Sequence, residues 1–246
     1  MRRAPIVFIS GWAHGEEALR PLAEAMAASG RIVSNLSLAS CGPFEDGDKN
    51  ISAYGRFVSS HLDTSGEPAT IVGWSTGGVV ALETAARYPE KVDRLVLLST
   101  TARFCSDKDY TSGVNPAVLR AMIRGLRKNP EDVVSDFIRE AMHPLDIGAE
   151  VLAARTQSAL AAGTVSLAHG LKYLLAADLR RDLPSLALPC LIVHGLQDRI
   201  VPVEAGRYLT ANLPDSEIVM SSAGHCLPEQ CEEGLIRRIG QFLERL

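Results

Sequence analysis

The chain has 246 residues, 46% of them hydrophobic and 22% charged, the balance of one large globular domain or of a domain carrying an insertion. A net charge of −4 gives no electrostatic reason to expect nucleic acid or an anionic membrane as partner, and no apolar run approaches the ~20 residues of a membrane span. The five cysteines (Cys41, Cys105, Cys190, Cys226, Cys231) are scattered and form no C-x-x-C, which suits reduced thiols better than a disulfide frame or a zinc site.

The start, Met1-Arg2-Arg3-Ala4-Pro5, lacks the longer apolar segment of a signal peptide, so a cytoplasmic protein is expected. Ile6 to Ile9 is a short apolar run with the look of a strand buried on both faces. A glycine-rich loop follows, Ser10-Gly11-Trp12-Ala13-His14-Gly15. Helical spacing runs from about Glu16 to Ser29, with Pro21 in a first turn and Gly30 as a stop. Ile32 to Leu38 reads as a second strand, Cys41 to Asn50 as loop, and Ile51 to Leu62 as helix. Ala69 to Gly73 is a third strand, and it turns at once into a helix that ends near Tyr88-Pro89. Val92 to Ser99 is a fourth strand. From Thr101 the alternation stops, and roughly eighty residues carry helical periodicity without a convincing strand. It resumes with a strand over Pro189–His194, a helix from about Val203 to Ala211, a strand over Glu217–Ser221 and a last helix. Alternating strands and helices predict an α/β fold with a mostly parallel sheet between helices. The core is expected over residues 1–103 and 184–246, with an all-helical cap over 104–183 above the carboxyl ends of the strands, where such sheets bind ligands.

The centre of the pattern is Gly73-Trp74-Ser75-Thr76-Gly77-Gly78, a strand-to-helix turn of Gly-x-Ser-x-Gly form. Glycine is needed where strand and helix nearly touch, and the strained turn lifts the serine hydroxyl to a helix N-terminus. A serine needs a base to take its proton and a third group to orient that base. Of the six histidines (His14, His61, His143, His169, His194, His225), His61, His143 and His169 read as surface or packing residues. His194 ends a buried strand and reads as structural. His225 follows a strand at the sheet edge that presents Ser75, and it is the expected base. Asp198, in the loop after the strand ending at His194, is the expected acid; Asp178 and Asp182 lie among charged residues and read as solvated or capping groups. The order Ser75, Asp198, His225 is that of the α/β hydrolases. The oxyanion donors are expected to be the backbone N–H groups of Thr76 and, from the first loop, Trp12. A histidine base must be neutral to act, so activity is expected to fall below roughly pH 6–7.

The elbow, the Gly11-Trp12 loop and His194-Gly195-Leu196-Gln197-Asp198-Arg199-Ile200-Val201-Pro202 resemble the α/β-hydrolase superfamily over essentially the whole chain. The G-W-S-x-G-G elbow, the F-I-S-G-W start, the stretch L-V-L-L-S-T-T-A-R-F-C-S-D-K-D-Y and the segment from Gly170 to Arg180 resemble the pimeloyl-acyl-carrier-protein methyl ester esterases of biotin synthesis. That resemblance implies a serine carboxylesterase with Ser75, Asp198 and His225 as triad, oxyanion donors at Trp12 and Thr76, and no metal or cofactor. It also implies a substrate-lining role for Phe137. The chain departs from the family at Ser10, where a histidine usually precedes the Gly-Trp pair. Rival readings are a capped hydrolase of another ester or of a carbon–carbon bond, and a ligand receptor on the same fold; dehalogenases and epoxide hydrolases place Asp at the elbow.

Asn115-Pro116 starts an amphipathic helix with Arg120, Arg124, Arg127 and Lys128 on one side, and no acid occurs from Thr111 to Pro130. That face is either solvated or a docking surface for an acidic carrier protein, and the next helix carries Glu131, Asp132 and Asp136. The substrate is expected to be a small acyl ester, either free or presented on an acyl-carrier protein, and the chain to be a monomer.

Overall fold

In chain order the elements are β1 (Ile6–Ile9), α1 (Arg20–Ala28), β2 (Val33–Leu36), α2 (Ala53–Leu62), β3 (Ala69–Trp74), α3 (Thr76–Arg87) and β4 (Val92–Leu98). Then come α4 (Pro116–Gly125), α5 (Pro130–Met142), α6 (Gly148–Leu160), α7 (Thr164–Ala176), β5 (Cys190–Gly195), α8 (Val203–Asn212), β6 (Ser216–Ser221), α9 (Leu227–Gln230) and α10 (Glu232–Leu243). This computed structural model describes residues 3–41, 52–230 and 232–245. The loop expected from Cys41 to Asn50 lies outside the described residues beyond Cys41, as do Ile51 and Cys231.

The six strands form one sheet in the order β2-β1-β3-β4-β5-β6, and every pairing is parallel. Strands β1, β3 and β5 are buried along their whole length, as their unbroken apolar runs require, whereas the edge strand β6 is half-buried throughout. The chain leaves β1 outward to β2 and returns to place β3 on the other side of β1. The loops after β1 and β3 therefore diverge, and a crevice opens at the carboxyl ends of these two strands.

Several boundaries differ from the sequence expectation for local reasons. Strand β2 begins after Ile32 and stops at Leu36, because Ser37 turns the chain into a short 3-10 turn whose Ala39 N–H its hydroxyl accepts at 3.2 Å. The first helix opens with a 3-10 turn over Glu16–Leu19 before α1, with Pro21 in the first turn. Helix α2 is capped by Ser52, whose hydroxyl accepts the Gly55 N–H at 3.0 Å, and α4 by Asn115, whose side chain accepts the Ala117 N–H at 2.9 Å.

Helices α4 to α7 are inserted between β4 and β5. Two isolated bridges, Cys105–Val114 and Asp107–Tyr110, organise the chain that leads into α4. No helix of the described residues is long and apolar enough to cross a membrane.

Candidate active site

Strand β3 delivers Ser75 at φ 55°, ψ −120°, a left-handed backbone position that costs a non-glycine residue roughly 1–3 kcal/mol. The surroundings hold it there. The Ser75 N–H donates to the Leu98 carbonyl at 2.9 Å, and the Thr100 hydroxyl donates to the Ser75 carbonyl at 2.6 Å. A Cβ on Gly73 would meet the Gly77 carbonyl and the Gly78 Cα at 2.6 Å, and a Cβ on Gly77 would strike the Ile9 carbonyl. Both glycines are there because helix α3 starts in contact with β3 and β1. Thr76 is the first residue of α3, so its N–H has no partner within the helix and is free to bind an anion.

Asp198 is pinned by its own loop. One carboxylate oxygen accepts the N–H groups of Ile200 and Val201, each at 2.8 Å, and the other lies 2.8 Å from His225 Nδ1. A carboxylate only accepts, so His225 carries its proton on Nδ1 and leaves Nε2 free to act as base. Burial alone raises the Asp198 carboxyl, but the charge and hydrogen bond of His225, with His194 and the Val201 N–H, outweigh it and hold the group below its ordinary value. His225 is itself 1% exposed, and its carbonyl accepts the Trp74 indole N–H at 3.0 Å. His225 is thereby tied to the residue just before Ser75. No hydrogen bond to a described residue occupies the Ser75 hydroxyl; such contacts commonly tighten only when substrate binds.

The other expected candidates are committed elsewhere. His194 is fully buried, donates from Nε2 to the Val201 carbonyl at 3.0 Å, and is kept low in pKa by burial. His61 pairs with the Ser34 hydroxyl at 2.9 Å, and His169 packs edge-on against Tyr54. Asp178 is pulled down to about 2 by its hydrogen bond with Arg180, and Asp182 pairs with Arg87 at 2.7 Å.

Gly11 brings the first loop against the elbow, since a Cβ there would stand 3.0 Å from the Ser75 Cβ. Trp12, Ser75 and Thr76 line a cavity of about 110 Å³ whose other wall includes Met122 of α4, Phe137 of α5 and Leu171 of α7. Arg199, half-exposed and 3.5 Å from Glu140, also borders it. Phe137 meets the Trp12 ring edge-on at 4.7 Å between centroids. A second cavity, about 210 Å³, shares Trp12 and Thr76 with the first.

Sequence reasoning offered His14 only as one of six possible bases. In the structure its Nδ1 donates to the Trp12 carbonyl at 2.8 Å, its ring lies edge-on to Trp74 at 4.6 Å, and the Ser10 hydroxyl donates to its carbonyl at 3.1 Å. Its place two residues after Trp12 in a glycine-rich loop was the available signal. Its Nε2 is shut off from solvent and has no hydrogen-bond partner among the described residues, and burial holds the imidazole down to about 4, against the opposing effect of the Trp12 carbonyl. The folded pKa is thus below the unfolded one, near 6.5, so the stability supplied by neutral His14 is fully present above pH ~6.5 and is lost as pH falls toward 4. Chemical denaturation across that window should show the wild type losing stability more steeply than His14→Asn. Equal slopes would mean that His14 does not titrate between the two states as described.

Comparison with known proteins places these features in a wider set. A model of the alpha/beta hydrolase family matches residues 6–238. A pimeloyl-[acyl-carrier protein] methyl ester esterase of Neisseria meningitidis serogroup A is 36% identical over 180 residues, 72% of this chain; the match spans 56% of that protein's length. The protein of the same name from Aliivibrio salmonicida is 25% identical over 243 residues, covering 97% of this chain and 92% of its own. Among solved structures, an esterase from Exiguobacterium antarcticum superposes with a TM-score of 0.87 at 17% identity, over 99% of this chain and 93% of that one, a likeness of fold.

Proposed function

The chain belongs to the alpha/beta hydrolase family, and from that premise we propose that it is a serine carboxylesterase cleaving the methyl ester of a pimeloyl chain carried on an acyl-carrier protein, in biotin synthesis. The observation that carries the chemistry is the buried Asp198–His225 pair, anchored through Trp74 to the strand that ends in the strained Ser75. The relatives named for that ester carry the substrate. His225 takes the Ser75 proton as the hydroxyl oxygen attacks the ester carbonyl, and Asp198 stabilises the imidazolium. The N–H groups of Trp12 and Thr76 hold the oxyanion. The alcohol leaves with the proton from His225, and a water deprotonated by His225 then releases the acid from the acyl-enzyme. No step calls on a metal or cofactor. Residues 104–183 act as a cap, whose α4, α5 and α7 give the acyl chain its apolar wall through Met122, Phe137 and Leu171. The test is rescue of a biotin auxotroph lacking its pimeloyl methyl esterase. Esterase turnover without rescue would leave the hydrolase and overturn the substrate.

The carrier protein's docking surface is the exposed face of α4 and the turn after it, with Arg120, Arg124, Arg127 and Lys128. A cationic face matches an acidic partner and steers its approach. Reversing Arg120 and Arg124 to Glu should lower kcat/KM on a carrier-bound ester by roughly tenfold or more while sparing a free short-chain ester. Unchanged kcat/KM on the carrier-bound ester would sink the assignment.

A further inference from the structure

Helix α7 carries an oddity that its own stability does not explain. Gly170 is a buried residue inside a regular helix, where glycine is less stable than alanine. A Cβ at that position would meet the indole Cδ1 of Trp12 at 2.7 Å and its Nε1 at 3.3 Å. One turn earlier on the same face, the Leu167 carbonyl accepts the Trp12 indole N–H at 2.8 Å. Helix α7 therefore offers Trp12 both an acceptor and a cleared surface on which its ring lies flush. Phe137 of α5 closes over that ring edge-on. From the loop side, His14 holds the Trp12 carbonyl at 2.8 Å, and Ala13 takes a left-handed φ of 60° to turn the chain back. The indole is clasped by the inserted helices and the carbonyl by the loop, so the Trp12 main chain has little freedom left.

We infer that Gly170 is a positioning residue for the oxyanion site: by letting α7 seat the Trp12 indole, it sets where the Trp12 N–H points. The inference rests on the reading of Trp12 as an oxyanion donor and extends it. The donor's geometry is supplied by the helical insertion that also lines the acyl cavity, not by the β1 loop alone. A shift of the inserted helices moves the donor with them, and misplacement by about an ångström is enough to cost on the order of 10²-fold in rate.

The test is kinetics of Gly170→Ala on a simple nitrophenyl ester, beside Trp12→Ala, the double variant and Ser75→Ala. Gly170→Ala should lower kcat by about tenfold or more, with KM within about threefold of wild type, because the oxyanion forms after binding. In the Trp12→Ala background the same substitution should change kcat by less than about twofold, since no indole remains to be displaced. A role for Gly170 in packing α7 alone would instead give the same loss in both backgrounds, and that result overturns the inference. Should Gly170→Ala fail to fold, Trp12→Phe removes the indole N–H that the Leu167 carbonyl accepts, together with part of the ring that α7 seats: kcat is expected to fall by about tenfold at unchanged KM, and full kcat overturns the inference. The parent reading fails separately. If wild-type turnover survives Ser75→Ala, the reading of Ser75 as nucleophile, on which the oxyanion site depends, is wrong; if it does not, and Gly170→Ala keeps full kcat, only the positioning role falls.

Discussion

Replacing Ser75 with Ala should lower kcat on a nitrophenyl ester by a factor on the order of 10⁴–10⁶ and leave the fold intact. The hydroxyl makes no hydrogen bond with a described residue, whereas the backbone of residue 75 is held by the Leu98 carbonyl and the Thr100 hydroxyl. Alanine keeps both of those contacts and removes only the attacking oxygen. The main-chain donors at Trp12 and Thr76 survive the substitution, so residual binding of the substrate is expected. A loss below tenfold in purified protein would rule Ser75 out as nucleophile. Covalent modification by a serine-directed phosphonate gives an independent check: the adduct's mass should appear on wild type and be missing from the variant. A stable adduct after one turnover on the ester would instead favour a receptor.

The second large effect concerns Asp198→Asn, an exchange of nearly equal shape. The first carboxylate oxygen accepts two N–H groups, from Ile200 and Val201, so the side-chain carbonyl of Asn will take that place. Its amide NH₂ then faces His225 Nδ1 and makes that nitrogen an acceptor. The imidazole proton is driven to Nε2, the atom that must receive the proton of Ser75. Flipping the amide would set its NH₂ against two backbone N–H groups. The expected loss in kcat near neutral pH is on the order of 10⁴, with little change in KM. Wild-type-like kcat would show that Asp198 does not set the tautomer.

The residues that announced the site did so because their chemistry is local. A glycine two residues before and another two after Ser75 can be read as steric clearance without knowing what approaches, and the approach is that of β1 and α3. The continuous apolar runs of β1, β3 and β5 reveal strands buried on both faces, and a buried parallel sheet fixes the end at which ligands bind. Asp198 and His225 were legible as polar residues just past strands. What stayed hidden depends on distant partners. The ring against which His14 packs, Trp74, lies far along the chain, and Gly170 takes its role from an indole that reaches it across 158 positions. The ends of β2 escaped because a hydroxyl of Ser37, not hydrophobic periodicity, decides where the strand stops.

The indole N–H of Trp74 on the carbonyl of His225 has a mechanical consequence. His225 hangs from the loop after β6, an edge strand that is half-buried throughout, whereas Trp74 closes β3 at the centre of the sheet. Without that link, twisting of the edge would carry the His225 imidazole away from Ser75. With it, the imidazole of His225 and the hydroxyl of Ser75 share one reference frame, and their separation is insulated from motions of the sheet's outer rim.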